Sequence, residues 1–134
     1  MTSNVVLKVI QVILLIKLDP VTCVNYNQKG NYLVSSSSDL SIKLWDLNND
    51  YLCCKTFNGH DHNVSFVNFL FDGDHIVSCS RDKTLKLWEI STGFNTRTYH
   101  GHEKWVRNVV LSTNTKIMAT CSDDQTVCIW QIDK

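Results

Sequence analysis

Apolar residues in this chain fall into short runs, and turn-forming residues separate each run from the next. Between Asp19 and Asp46 the runs are Val21–Tyr26, Tyr32–Ser36 and Ser41–Trp45, and a fourth, Tyr51–Phe57, follows. From Gly59 to Ile90 three more runs are divided by Asp72-Gly73-Asp74 and by Ser80-Arg81-Asp82-Lys83, and Asn95–Tyr99 follows a Ser91-Thr92-Gly93 turn. A last set extends from Gly101 to Ile132. Runs of this length rich in Val, Ile, Leu and Phe predict strands, and the turns between them predict antiparallel meanders. The glycine of Asp-Gly-Asp reaches the positive φ that a tight hairpin needs.

The sets are in register with one another. Trp45, Trp88 and Trp130 recur at spacings of 43 and 42 residues. Asp39, Asp82 and Asp124 each stand six residues before their Trp, and Ser35, Ser78 and Thr120 four residues before that Asp. Gly59-His60 and Gly101-His102 place a His 22 residues ahead of its Asp, whereas Lys17 occupies this position in the first set. A period of this length, opening on Gly-His and closing on a Trp-Asp-like pair, is the signature of a WD-repeat β-propeller blade. The fold expected is therefore all-β, in four-stranded antiparallel blades. The expected organisation is an atypical apolar segment over 1–18, a repeat without its Gly-His over 19–58, a full repeat over 59–100, and a repeat over 101–134 truncated before its outer strand. Closed rings of such blades have at least about four members, so three blades are expected to be part of a ring of about seven. Val5 to Leu18 is too short for a membrane span and lacks a signal peptide's basic start and cleavage site. It reads either as the outer strand of a preceding blade or as sequence unrelated to the propeller.

Thirteen basic and thirteen acidic residues balance, without a Lys/Arg run, so nothing points to a nucleic-acid or membrane surface. Of the six cysteines, Cys79 and Cys121 occupy equivalent places inside the second run, where a small buried thiol is expected. No extracellular disulfide framework is apparent, which favours a reducing cytoplasm. His60, Ser78 and Asp82 have the composition of a hydrolytic triad. Ser78, however, lies inside Ile76-Val77-Ser78-Cys79, no Gly-x-Ser-x-Gly is present, and a catalytic set has no reason to recur every 42 residues. The expected role is a structural relay, indole to hydroxyl to imidazole to carboxylate, that satisfies buried polar groups. Its members are His60, Ser78, Asp82 and Trp88, then His102, Thr120, Asp124 and Trp130, with Ser35, Asp39 and Trp45 a partial set. The spacing of His60-Asp61-His62, His100-Gly101-His102 and Cys53-Cys54 does not suit structural zinc, so no metal or other cofactor is expected. Asn63-Val64-Ser65 is a formal glycosylation sequon at the start of an inner strand and is read as chance.

The runs GHDHNV, GDHIVSCSRDKTLKLWE, GHEKWVRNV and CSDDQTV resemble the lissencephaly-1 family, over about residues 19 to 134 and most closely between Gly59 and Trp130. The resemblance implies a non-enzymatic scaffold that regulates cytoplasmic dynein in microtubule-based processes such as nuclear migration and mitosis. It implies as partners the dynein motor domain, nuclear distribution E-type proteins and the catalytic subunits of intracellular platelet-activating-factor acetylhydrolase. It also implies a cytoplasmic, cytoskeletal and centrosomal location. Arg81 and Arg107 match arginines through which that family contacts the motor domain; Trp105 and Lys104 stand beside Arg107, and His62 and Asp123 neighbour them on one rim. An exposed Trp beside Arg and Lys is typical of binding hot spots. The bland reading has Trp105 packed between blades and the charges solvated. The family's N-terminal dimerisation helix and coiled coil have no counterpart in this sequence, so dimer-dependent regulation is not implied. A WD-repeat adaptor of another complex, such as a ubiquitin ligase or signalling assembly, would share the repeat without needing Arg81 and Arg107.

Overall fold

The computed structural model describes residues 19–114 and 116–133. The expectations for residues 1–18, including the outer strand of a preceding blade and Lys17 in place of a relay histidine, lie outside the described residues. Within them the chain forms eleven strands and three antiparallel sheets. The first sheet is the meander β1 (Val21–Tyr26), β2 (Tyr32–Ser37), β3 (Ile42–Asp46) and β4 (Leu52–Phe57). The second is β5 (Val64–Phe69), β6 (His75–Ser80), β7 (Leu85–Glu89) and β8 (Asn95–Tyr99). The third has three strands, β9 (Val106–Leu111), β10 (Ile117–Ser122) and β11 (Val127–Gln131). The architecture is that of consecutive propeller blades.

Turn chemistry explains where strands stop. Gly73 turns the β5–β6 hairpin at φ 79°. At the other rim Leu40, Lys83 and Gln125 take left-handed φ values of 76°, 76° and 71°. These are uncommon for residues with a Cβ. The preceding aspartate holds each turn: Asp39, Asp82 and Asp124 accept from the backbone N–H of Ser41, Thr84 and Thr126 at 2.8–2.9 Å. That bond keeps Ser41 in the turn, so β3 begins at Ile42.

The sheets stack face to face. Ile76 and Trp88 pair across β6 and β7 and face the first sheet, in a core with Val34, Ile42, Leu44, Phe57, Val64 and Val67. Val77, Cys79, Leu85 and Leu87 face the other way, onto Val106, Val109 and Met118 of the third sheet. Period-two alternation thus serves two interfaces at once, which is why the second sheet is apolar on both faces. Burying each such side chain contributes roughly 1.5–3 kcal/mol before chain entropy is subtracted. The far face of the third sheet carries no neighbour among the described residues, and Val110, Val127 and Ile129 are exposed there. Cys121 lies on that face too and is exposed, whereas its equivalent Cys79 is fully buried. This corrects the expectation that both thiols are core: burial at this position is supplied by the following sheet.

Candidate partner-binding rim

The hydrogen-bond relay builds the rim. Trp88 Nε1 donates to Ser78 Oγ at 2.8 Å, and Ser78 Oγ lies 2.7 Å from His60 Nε2. His60 Nδ1 lies 2.7 Å from Asp82 Oδ2, so a proton on Nδ1 lets every member find its partner. In the third sheet Trp130 Nε1 donates to Thr120 at 2.8 Å, and His102 spans Thr120 and Asp124 at 2.7 and 2.8 Å. In the first, Trp45 donates to Ser35 at 2.9 Å, and Asp39 accepts from Ser41. Ser78 is fully buried under Trp88, so its oxygen is out of reach of a substrate. Burial pushes the Asp82 carboxyl up, but hydrogen bonds from His60, Thr84 and Asp61 outweigh it and hold it well below the usual carboxylate range. Asp124 is likewise held low, chiefly by the Thr126 hydroxyl, against burial. The glycine before each histidine has a steric reason. A Cβ on Gly59 would stand 3.0 Å from the Trp88 ring, and one on Gly101 2.8 Å from the Trp130 ring.

Clips between strands fix the turns that carry the candidate residues. Arg81 N donates to Asn63 O and Asp123 N to Trp105 O, both at 2.9 Å, and Ser38 N donates to Pro20 O at 3.0 Å. Ser80 Oγ donates to the carbonyls of His62 and Asn63, and Ser122 Oγ to that of Lys104. The residue after the relay serine or threonine's strand end is thus tied to the start of its own inner strand in every blade. Neighbouring inner strands are joined as well: Thr22 Oγ1 donates to Val64 O at 2.6 Å, and the equivalent Ser65 donates to Val106 O. In the third blade that hydroxyl position is Arg107.

On this frame the rim side chains converge on Trp105. The Arg107 guanidinium carbon lies 3.7 Å from the Trp105 ring centroid, and that of Arg81, from the neighbouring blade, 5.0 Å. Arg107 Nε and Nη2 donate to the two oxygens of Asp123 at 2.7 and 2.9 Å. The pair holds the Asp123 carboxyl below its ordinary range and raises Arg107. Lys104 and Arg81 add positive field at Asp123, and both are exposed. His62 is exposed and its Nδ1 accepts from Asn63 N at 2.8 Å. Trp105 is not the exposed residue that the hot-spot reading expects, and the Arg81 of the neighbouring blade reaches its ring. It is half-buried under the arginines, and its Nε1 is occluded without a hydrogen-bond partner among the described residues. An orphaned buried donor costs about 1–3 kcal/mol, so the fold gains little from this indole's polar end.

Some working residues escaped the sequence reading. Ser41, Thr84 and Thr126 each place a hydroxyl on the relay carboxylate at 2.5, 2.6 and 2.5 Å. The signal was an Asp-x-Ser/Thr at the same offset in each repeat. The Thr22/Ser65 clip also had a signal, a hydroxyl residue in register in two repeats and Arg107 in the third. Among the described residues no group of three or more His, Cys, Asp or Glu is placed to hold a metal ion.

Comparison with known proteins places these observations in a family. The profile of the WD domain, G-beta repeat (WD40) matches residues 15–46, 51–89 and 93–131. The nuclear distribution protein nudF of Aspergillus niger is 58% identical over 41 residues, covering 30% of this chain and 9% of that protein. Nuclear distribution protein PAC1 of Yarrowia lipolytica is 50% identical over 44 residues, covering 33% of this chain and 10% of its own. PAC1 of Arthroderma benhamiae is 60% identical over 38 residues, covering 28% and 8% respectively. The chain therefore aligns with about a tenth of the length of these relatives.

Proposed function

The chain belongs to the WD40 family of WD-domain, G-beta repeats, and from that premise we propose that it is a non-enzymatic scaffold whose rim binds the cytoplasmic dynein motor domain. The observation that carries the reading is the Arg81–Trp105–Arg107 cluster. Two guanidiniums from adjacent blades rest on one half-buried indole. Arg and Trp with a desolvated centre and an open edge are the composition of a binding hot spot. Arg107 also stands where the first two blades use a small hydroxyl residue to clip the next strand, so blade construction does not call for it. The nuclear distribution relatives support a place in dynein-dependent nuclear positioning. On this reading the protein works in the cytoplasm, on the cytoskeleton and at the centrosome. Nuclear distribution E-type proteins and acetylhydrolase catalytic subunits are further partners under the same proposal. Mechanistically, a rigid rim that fits one motor conformation better than another shifts the motor towards it by that difference in affinity. Titrating the chain with purified dynein motor domain tests the proposal. Saturable, salt-sensitive binding is expected, and no saturable binding would contradict it.

A further inference from the structure

Asp123 is the acidic side chain that pairs with Arg107 in the cationic cluster, and its position explains how the cluster is presented. Its backbone is pinned by the N–H bond to Trp105 O. Its carboxylate engages Arg107 side-on, at Nε and Nη2. A two-point pair of this kind fixes the plane of the guanidinium as well as its distance. The guanidinium so held has its carbon 3.7 Å from the Trp105 ring centroid. Side-on pairing consumes two of the five donors and leaves the others on the edge away from Asp123. The side chains of Arg107 and Asp123 keep 49% and 40% of their surface in solvent, so the pair adds little to folding. Nor does a blade require it. The equivalents of Asp123 and Arg107 in the second sheet are Arg81 and Ser65, which cannot form an ion pair, and that sheet is complete. The absence of such a pair there leaves Arg81 able to reach across to the neighbouring blade's Trp105.

We propose that Asp123 is a positioning residue that holds Arg107 over Trp105, so that the open edge of its guanidinium and Arg81 together receive a carboxylate from an acidic segment of a partner protein. This rests on the rim being the partner-binding surface, and it adds the ligand group and the residue that orients the receptor. The competing role for the same geometry is an internal competitor, in which Asp123 occupies a site that the partner must empty. The two roles differ in the sign of one substitution. Removing a positioning carboxylate weakens binding, and removing a competitor strengthens it.

The test uses Asp123→Ala and Asp123→Glu in the full chain, with two readouts. Acrylamide quenching of tryptophan fluorescence, taken as the difference from a Trp105→Phe background because Trp130 is also half-exposed, reports on Trp105 without any partner, and titration with dynein motor domain reports on binding. Asp123→Ala is expected to raise quenching as Arg107 leaves the indole. It is also expected to weaken motor binding about three- to fivefold, the range that coupling through an exposed pair allows. Asp123→Glu restores both. Quenching unchanged by Asp123→Ala, or tighter motor binding, overturns the positioning role. If quenching rises while Asp123→Ala, Arg81→Glu and Arg107→Glu all bind the motor like the parent chain, Asp123 still positions Arg107. In that case the carboxylate receptor and the motor-binding reading both fail.

Discussion

Replacing Ser78 with alanine removes one oxygen and orphans two neighbours. Ser78 Oγ accepts from Trp88 Nε1 at 2.8 Å and pairs with His60 Nε2 at 2.7 Å. Trp88 and His60 are 1% and 4% exposed, so water cannot replace the lost partner. Each buried polar group left unpaired costs about 1–3 kcal/mol, so the substitution, which orphans two, should cost about 2–6 kcal/mol. That is a large part of a typical domain stability of about 5–15 kcal/mol. Two equivalent substitutions calibrate the argument. Ser35→Ala orphans Trp45 Nε1 alone among the described residues, and should cost about 1–3 kcal/mol. Thr120→Ala orphans both His102 and Trp130, but Trp130 is half-exposed. Water can reach it, and the loss should fall below that for Ser78. Urea unfolding followed by tryptophan fluorescence, with the slope checked for constancy, yields the three values. If Ser78→Ala costs no more than Ser35→Ala, the relay does not hold the second blade as described.

Two further outcomes follow from the same geometry. Asp82 titrates below its unfolded value because its charged form is hydrogen-bonded in the fold. Its contribution is therefore fully present above the unfolded carboxyl pKa of about 3.9 and lost as pH falls below it towards the folded value. Urea midpoints measured from neutral to acid pH should show the parent and Asp82→Asn converging on acidification; a constant gap would contradict this. Alkylation under native conditions should separate the cysteines, with Cys121 and Cys54 labelled at once and Cys79 protected. Burial pushes the Cys79 thiol up to about 12, whereas the other two are exposed. Rapid labelling of Cys79, read by peptide mass mapping, would show that the second and third sheets do not pack as found.

The register of Trp, Asp and Ser/Thr was legible because each role recurs at a fixed offset, so three copies test one another. Trp45, Trp88 and Trp130 each donate to the hydroxyl ten residues earlier. What repetition cannot convey is the surroundings. Cys79 and Cys121 share a sequence position but not a neighbouring sheet, and one is buried while the other is exposed. Trp105 was harder still, because its half-burial depends on two arginines. One comes from the adjacent blade, and the other is paired with Asp123, sixteen residues further along the chain. No local pattern encodes that contact. The signal available was negative: at position 107 an arginine replaces the hydroxyl that the other repeats use as a clip.

The rim assignment is tested most directly by charge reversal at Arg81 and Arg107 in the chain, with motor affinity and thermal stability measured on the same samples. Each reversal should weaken dynein motor binding by about 1–3 kcal/mol, as hot-spot arginines do. The melting temperature should barely move, since exposed charges contribute little to folding. Unchanged motor affinity in both variants, or unfolding of the blades, would contradict the assignment.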